Sequence, residues 1–195
     1  MDTMFEHPKQ LGHMMLDLET MGNKSKSAII SIGAVEFDIS SGETGREFYV
    51  KVNLQSCFDR GLIANGSTIE WWLMQNEEAR KMAADGNGVS IAVALQQFRS
   101  FIDSLGRDTV QIWGNGARFD IGILEDAHDA CQLSNPWNFR NERDVRTLVS
   151  FAPKVKKKAV FNTNGIQHDP IADCKFQIMY CTAVWQHLMK GSGNG

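Results

Sequence analysis

The chain has no cysteine pair at CxxC spacing, no excess of basic residues, and no apolar run long enough to span a bilayer. Cys57, Cys131, Cys174 and Cys181 each sit alone beside apolar or helix-like sequence, so reduced thiols in a cytoplasmic protein are expected. Lys plus Arg number 20 against 23 Asp plus Glu, a net charge of −3. That excludes a protein that grips nucleic acid by overall charge; phosphate binding would have to come from local groups or bound cations. The first ten residues, MDTMFEHPKQ, carry acids and a proline where a targeting segment has a basic start and an apolar centre. No membrane association is expected.

What is present suits one α/β domain. The 195 residues are 43% hydrophobic and 22% charged, enough to bury roughly 70% of the surface of the unfolded chain. No internal repeat or linker interrupts them, so residues 1–190 read as one domain and 191–195, GSGNG, as a flexible tail. Three strand-like segments come first, 13–18, 28–38 and 46–52, with SSGETG as a turn between the last two. They predict an antiparallel meander. STIEWW opens a helix, with Ser67 as N-cap and Glu70 completing a capping box, and Ile69, Leu73, Asn76, Arg80 and Ala83 continue its spacing. A second helix carries Ile91, Leu95, Phe98, Ile102 and Leu105 on one face. The strand 109–114 follows, then a helix with Ile123, Leu124, Ala127 and Cys131. A shorter helix over 143–151 has a Glu142/Arg146 pair at i,i+4. A polar loop with KVKKK comes next, and the last helix runs from about Pro170 to Met189. The expectation is a mixed sheet, a three-stranded meander plus parallel strands, with helices on both faces.

The chemistry lies in the acids. In MLDLETMG, Asp17 and Glu19 point to one face of a strand otherwise built from Met and Leu, where unpaired like charges are costly. Asp120 stands just past the strand 109–114, where open α/β sheets place their sites. Asp173 follows the N-cap Asp169 and Pro170 by one turn, with His168 just before. Both Asp120 and Asp173 gain from a helix N-terminus. Four carboxylates and an imidazole are the ingredients of a two-metal phosphoryl-transfer site. Hard oxygen ligands suit Mg²⁺ or Mn²⁺, and two divalent cations about 4 Å apart would balance the four charges. A neutral His can take the proton of an attacking water.

In their order and context these residues resemble the DEDDh exonucleases, the proofreading-exonuclease-like branch of the ribonuclease H-like fold. The D-x-E motif is matched by Asp17 and Glu19, followed by Thr20. The second motif is matched by Asn115, Phe119 and Asp120 in NGARFD, and H-x4-D by His168 and Asp173. The likeness runs from about Met14 to Trp185. It implies a 3′-5′ exonuclease that takes a nucleic acid with a free 3′ end and releases 5′-monophosphates. Asp17, Glu19 and Asp173 would hold one metal, Asp17 would bridge to a second supported by Asp120, and His168 would be the general base. The chain has Thr20-Met21-Gly22 where many members have Thr-Thr-Gly. DLETMG, STIEWW and RDVRTL look closer to the phage exonuclease A group and the mycobacterial-type exoribonucleases, leaving DNA against RNA open and suggesting a phage or prophage origin.

Around that centre, the backbone at Thr20 and Met21 could hold the 3′-hydroxyl and Met21 could press on the last base, or the segment is simply a tight turn. Trp72 reads as core, while Trp71 points away and either stacks on a base or packs as an ordinary partly exposed tryptophan. Lys154, Lys156, Lys157 and Lys158 are a solvated loop or an edge of the substrate groove; Arg143 and Arg146 could line it too. A homodimer is an admissible assembly. The rival readings are a catalytically silent nucleic-acid-binding module and a small-nucleotide phosphodiesterase.

Overall fold

The computed structural model describes residues 10–158 and 169–191. Three strands open it: β1 (His13–Thr20), β2 (Ile29–Phe37) and β3 (Thr44–Lys51). Helices α1 (Leu54–Phe58), α2 (Gly66–Leu73), α3 (Glu77–Ala84) and α4 (Ile91–Leu105) lead to β4 (Gln111–Gly114) and α5 (Ala117–Ala130). A 3-10 turn, Phe139–Asn141, precedes β5 (Glu142–Asp144), α6 (Val145–Ser150), α7 (Pro153–Lys158) and α8 (Pro170–Gly191). The sheet order is β3-β2-β1-β4-β5. β1 and β3 run antiparallel to β2, whereas β4 runs parallel to β1 and β5 parallel to β4. This is the α/β ribonuclease H-like architecture expected from the sequence.

The period-two pattern of β1 divides the core. Met14, Leu16 and Leu18 pack with Leu95, Phe98 and Ile102 of α4 and Ile121 and Leu124 of α5. Met15 belongs to the opposite layer with Val145, Cys174, Ile178 and Cys181. Asp17 and Glu19 continue the Met15 row, so they face α8. The two layers hold the helices on both faces of the sheet. The four cysteines are buried free thiols, and among the described residues no helix is long and apolar enough to cross a membrane.

Local chemistry departs from the sequence reading in four places. Asn65, not Ser67, caps α2: its extended backbone lets the side-chain carbonyl accept from Ser67 N–H at 3.0 Å, which puts Ser67 inside the helix. The single periodic helix expected through Ala83 is two, because Asn76 takes an extended backbone and its side chain accepts from Ala79 N–H at 2.9 Å, starting α3. Glu142–Asp144 pairs with β4 as a short strand, and Glu142 accepts from the Trp137 indole at 3.0 Å. The KVKKK stretch lies in α7, where Lys156 stands 4.7 Å from the Tyr180 ring centroid and holds α7 to α8.

Candidate active site

The site forms where β1 ends against the start of α8. Asp17 pairs across the sheet with Gly33, and the chain places Pro170 directly on that glycine. A Cβ at position 33 would stand 2.6 Å from Pro170 Cβ, so glycine is what lets the helix reach the sheet here. Cys174 Sγ, one turn on, lies 3.5 Å from the Met15 carbonyl. Asp169 caps α8, its Oδ1 accepting from Ile171 N–H at 2.9 Å. This seating carries Asp173 to β1. Carboxylate oxygens of Asp17, Glu19 and Asp173 lie within 4.8 Å of one another.

Asp120 arrives from the other layer. Gly114 ends β4 with the Asp120 side chain 3.2 Å from where a Cβ would be, so α5 can begin hard against the strand. Asp120 is buried, and its Oδ1 accepts from Leu18 N–H at 3.3 Å. The structure therefore brings four of the five motif residues to one end of β1. The fifth, His168, lies outside the described residues.

The electrostatics are those of an unbalanced cluster. Burial, then Asp120 and Asp173, push the Asp17 carboxyl well above the usual range. Burial, then Asp17, raise Glu19 to about 9. Burial raises Asp120 to about 7 against the backbone N–H groups and Arg146 that favour its charged form. Among the described residues no lysine or arginine forms an ion pair with Asp17, Glu19 or Asp120. Converging hard oxygen donors, three of them without such a cation, fit divalent metal ions such as Mg²⁺ or Mn²⁺.

One contact went unseen in the sequence. Gln177, one turn beyond Asp173, donates from Nε2 to Asp17 Oδ1 at 2.8 Å and fixes that carboxylate from the helix side. An amide in a helix carries no motif signal; only its i,i+4 relation to Asp173 hints at a shared face.

The remaining candidates surround this centre. Met21 N–H donates to the Ala28 carbonyl at 2.8 Å, so it is not free for a 3′-hydroxyl. The Thr20 hydroxyl donates to the Gly22 carbonyl at 2.5 Å, and the Trp72 indole donates to the Thr20 carbonyl at 2.9 Å. Three hydrogen bonds thus tie down the turn. The Met21 side chain instead lines a cavity of about 380 Å³ with Leu54, Ile69 and Trp72. Trp72 is buried as expected, and Trp71 is 43% exposed at an edge-on angle to it. Asn115 is half-buried beside Asp120, and Phe119 lines a second groove. Arg143 is engaged by the carbonyls of Arg140 and Glu142.

A family model described as 3′-5′ exoribonuclease Rv2179c-like domain matches residues 12–185. An exodeoxyribonuclease of Enterobacteria phage T4 is 30% identical over 204 residues, covering 90% of this chain and 89% of that one. The nuclease domain of 3′hExo, a DEDDh family member bound to rAMP, superposes with a TM-score of 0.64 at 12% identity, over 90% of this chain and 92% of that one. E. coli exonuclease I in complex with a 5cy-dA13 oligonucleotide gives 0.62 at 14% identity, over 91% of this chain and 42% of that one. This chain therefore spans less than half of the exonuclease I polypeptide.

Proposed function

Since the chain belongs to the Rv2179c-like 3′-5′ exoribonuclease family and is a 3′-5′ exonuclease of DEDDh type, we propose that it cleaves nucleoside 5′-monophosphates from the 3′ end of DNA or RNA with two divalent ions. The observation that carries this reading is the convergence of Asp17, Glu19 and Asp173 within 4.8 Å, beside a buried Asp120. Asp17, Glu19 and Asp173 would hold one Mg²⁺ or Mn²⁺, and Asp17 and Asp120 a second. Bound there, the ions supply neutralisation of the scissile phosphate and a water of lowered pKa.

The chain's own groups do the rest. His168 takes a proton from the attacking water as its oxygen bonds to phosphorus, the bond to the preceding nucleotide's 3′-oxygen breaks, and that oxygen takes a proton from solvent water to leave as the 3′-hydroxyl of the shortened strand. Gln177 keeps Asp17 oriented. The pinned Thr20–Met21 turn presents the Met21 thioether to the terminal base, and Asn115, Phe119 and Trp71 flank the nucleotide. Residues 1–190 act as one exonuclease domain. A silent binding module would have no use for four clustered carboxylates.

The test is a time course on 5′-labelled single-stranded DNA and RNA of matched sequence, with Mg²⁺, Mn²⁺ or chelator, and Asp17→Asn as control. A metal-dependent ladder shortening from the 3′ end is expected, and comparison of the two ladders gives the sugar preference. Strands left intact with both metals would overturn the mechanism. Cleavage of dinucleotides alone would favour the small-nucleotide phosphodiesterase.

A further inference from the structure

A groove of about 830 Å³ opens on the α5 side of Asp120, between the turn after β1, at Asn23 and Lys24, and the first turns of α5, at Arg118 and Phe119. Asp144 and Arg146 close its third side. Its charges divide into two groups. The acids are engaged by the protein: Asp144 accepts from Ala117 N–H at 2.7 Å and Thr147 N–H at 2.6 Å, Asp126 from Lys26 N–H at 2.9 Å, and Glu125 from the Asn135 amide at 2.9 Å. The cations are not. Lys24, Arg118 and Arg146 are all exposed, and among the described residues their side chains make no hydrogen bond or ion pair.

Arg146 is also given room. Gly116 caps α5 with φ +102°, a conformation that favours glycine, and the Arg146 guanidinium carbon lies 3.1 Å from where a Cβ would be. The guanidinium thus lies over the start of α5, close enough to favour the charged form of both Asp120 and Asp144. The two main walls are close sequence neighbours of site carboxylates: Lys24 follows Glu19 by five residues and Arg118 precedes Asp120 by two. Three cations without a side-chain partner along an open groove next to Asp120 suit an extended polyanion more than a compact one.

We infer that this groove carries the phosphodiester backbone of the substrate strand 5′ of the scissile bond, with Lys24, Arg118 and Arg146 on successive phosphates. The inference rests on the exonuclease reading and extends it: affinity is set by strand length through this surface. The groove's acids match its cations in number, so the attraction comes from the free placement of the three cations and not from net charge.

The test measures fluorescence anisotropy of a labelled 12-nucleotide single strand, with Ca²⁺ in place of Mg²⁺, across a salt series. Wild type is compared with the double variant Lys24→Glu/Arg118→Glu and with the milder Lys24→Gln/Arg118→Gln, each checked for an unchanged thermal midpoint. The charge-reversed variant is expected to bind the strand at least ~10-fold more weakly. Its log–log salt slope should be shallower by about 1.4, at about 0.7 for each of two phosphates left without a cation. Competition by an unlabelled dinucleotide, whose single phosphate is the scissile one, should change less than about twofold, against that ~10-fold loss for the strand. Equal strand affinity and slope in wild type and both variants would overturn the inference, as would a parallel loss for strand and dinucleotide, or a wild type that binds no strand. Groove-dependent binding without cleavage in Mg²⁺ or Mn²⁺ would support the groove and sink the proposed mechanism instead.

Discussion

Glu19 and Glu36 are two glutamates on neighbouring strands, 8% and 2% exposed, and the fold treats them in opposite ways. Burial works to raise Glu36 as well, but the Arg46 guanidinium grips both its oxygens at 2.8 and 2.9 Å, and Leu11 N–H adds a bond at 3.1 Å. The result is a carboxyl held below its ordinary value. Glu19 has no such partner among the described cations and rises to about 9. The chain neutralises one buried acid with its own arginine and gives the other none. Under the proposed mechanism divalent ions take that place, so the contrast separates a carboxylate of the fold from one of the chemistry.

The largest effect that would break this contrast is on turnover. Asp173→Asn should lower exonuclease kcat at least ~10³-fold, about 4 kcal/mol of barrier, while the variant still unfolds in one cooperative urea transition in chelator. A folded variant with near wild-type turnover would remove Asp173 from the site.

Next comes pH. Glu19's folded pKa lies above its ordinary 4.5, so its contribution to metal-free stability is complete below that value and is lost as pH rises toward about 9. Asp120 adds the same sign between 3.8 and about 7. Glu36 runs the other way, contributing above 4.5 and losing its contribution as pH falls. Urea midpoints in chelator should therefore decline from pH 5 to 9, and saturating Mn²⁺ should flatten the decline. A flat metal-free profile would contradict the unbalanced cluster.

Glu36→Gln should cost about 1–3 kcal/mol of unfolding free energy, because a charged, partly buried hydrogen-bonded pair loses its acid. Specific activity per folded molecule should not change. The smallest effect is at Gln177. Gln177→Leu should weaken Mn²⁺ binding roughly tenfold by calorimetry with stability little altered; unchanged affinity would make its bond to Asp17 incidental.

The sequence disclosed most of this centre because its residues are chemically conspicuous. Asp17 and Glu19 interrupt an apolar strand, Asp120 follows a strand end, and Asp173 follows a proline-started helix, each visible in a few neighbouring residues. The meander and the 91–105 helix were legible for the same local reasons. What stayed hidden depends on distant partners. Asn76 reads as one more periodic position until its side chain takes Ala79 N–H, and Glu142–Asp144 is a strand only because β4 lies beside it. Lys24 and Arg118 look like ordinary surface charges 94 positions apart until the turn after β1 is tied to α5 through Lys26 and Asp126. Glu36 and Arg46 straddle a hairpin, and nothing in the alternation of β2 announces the pair.

The bond from Gln177 to Asp17 joins residues 160 positions apart. During synthesis from the N-terminus, β1 emerges early with its two acids, yet the third carboxylate of the cluster and the amide that orients the first come from α8. Until α8 has emerged and settled on Gly33, a growing chain lacks both Asp173 and Gln177. Closing so long a loop is slow in entropic terms, so the carboxylate cluster is completed only when almost all of the domain has been made.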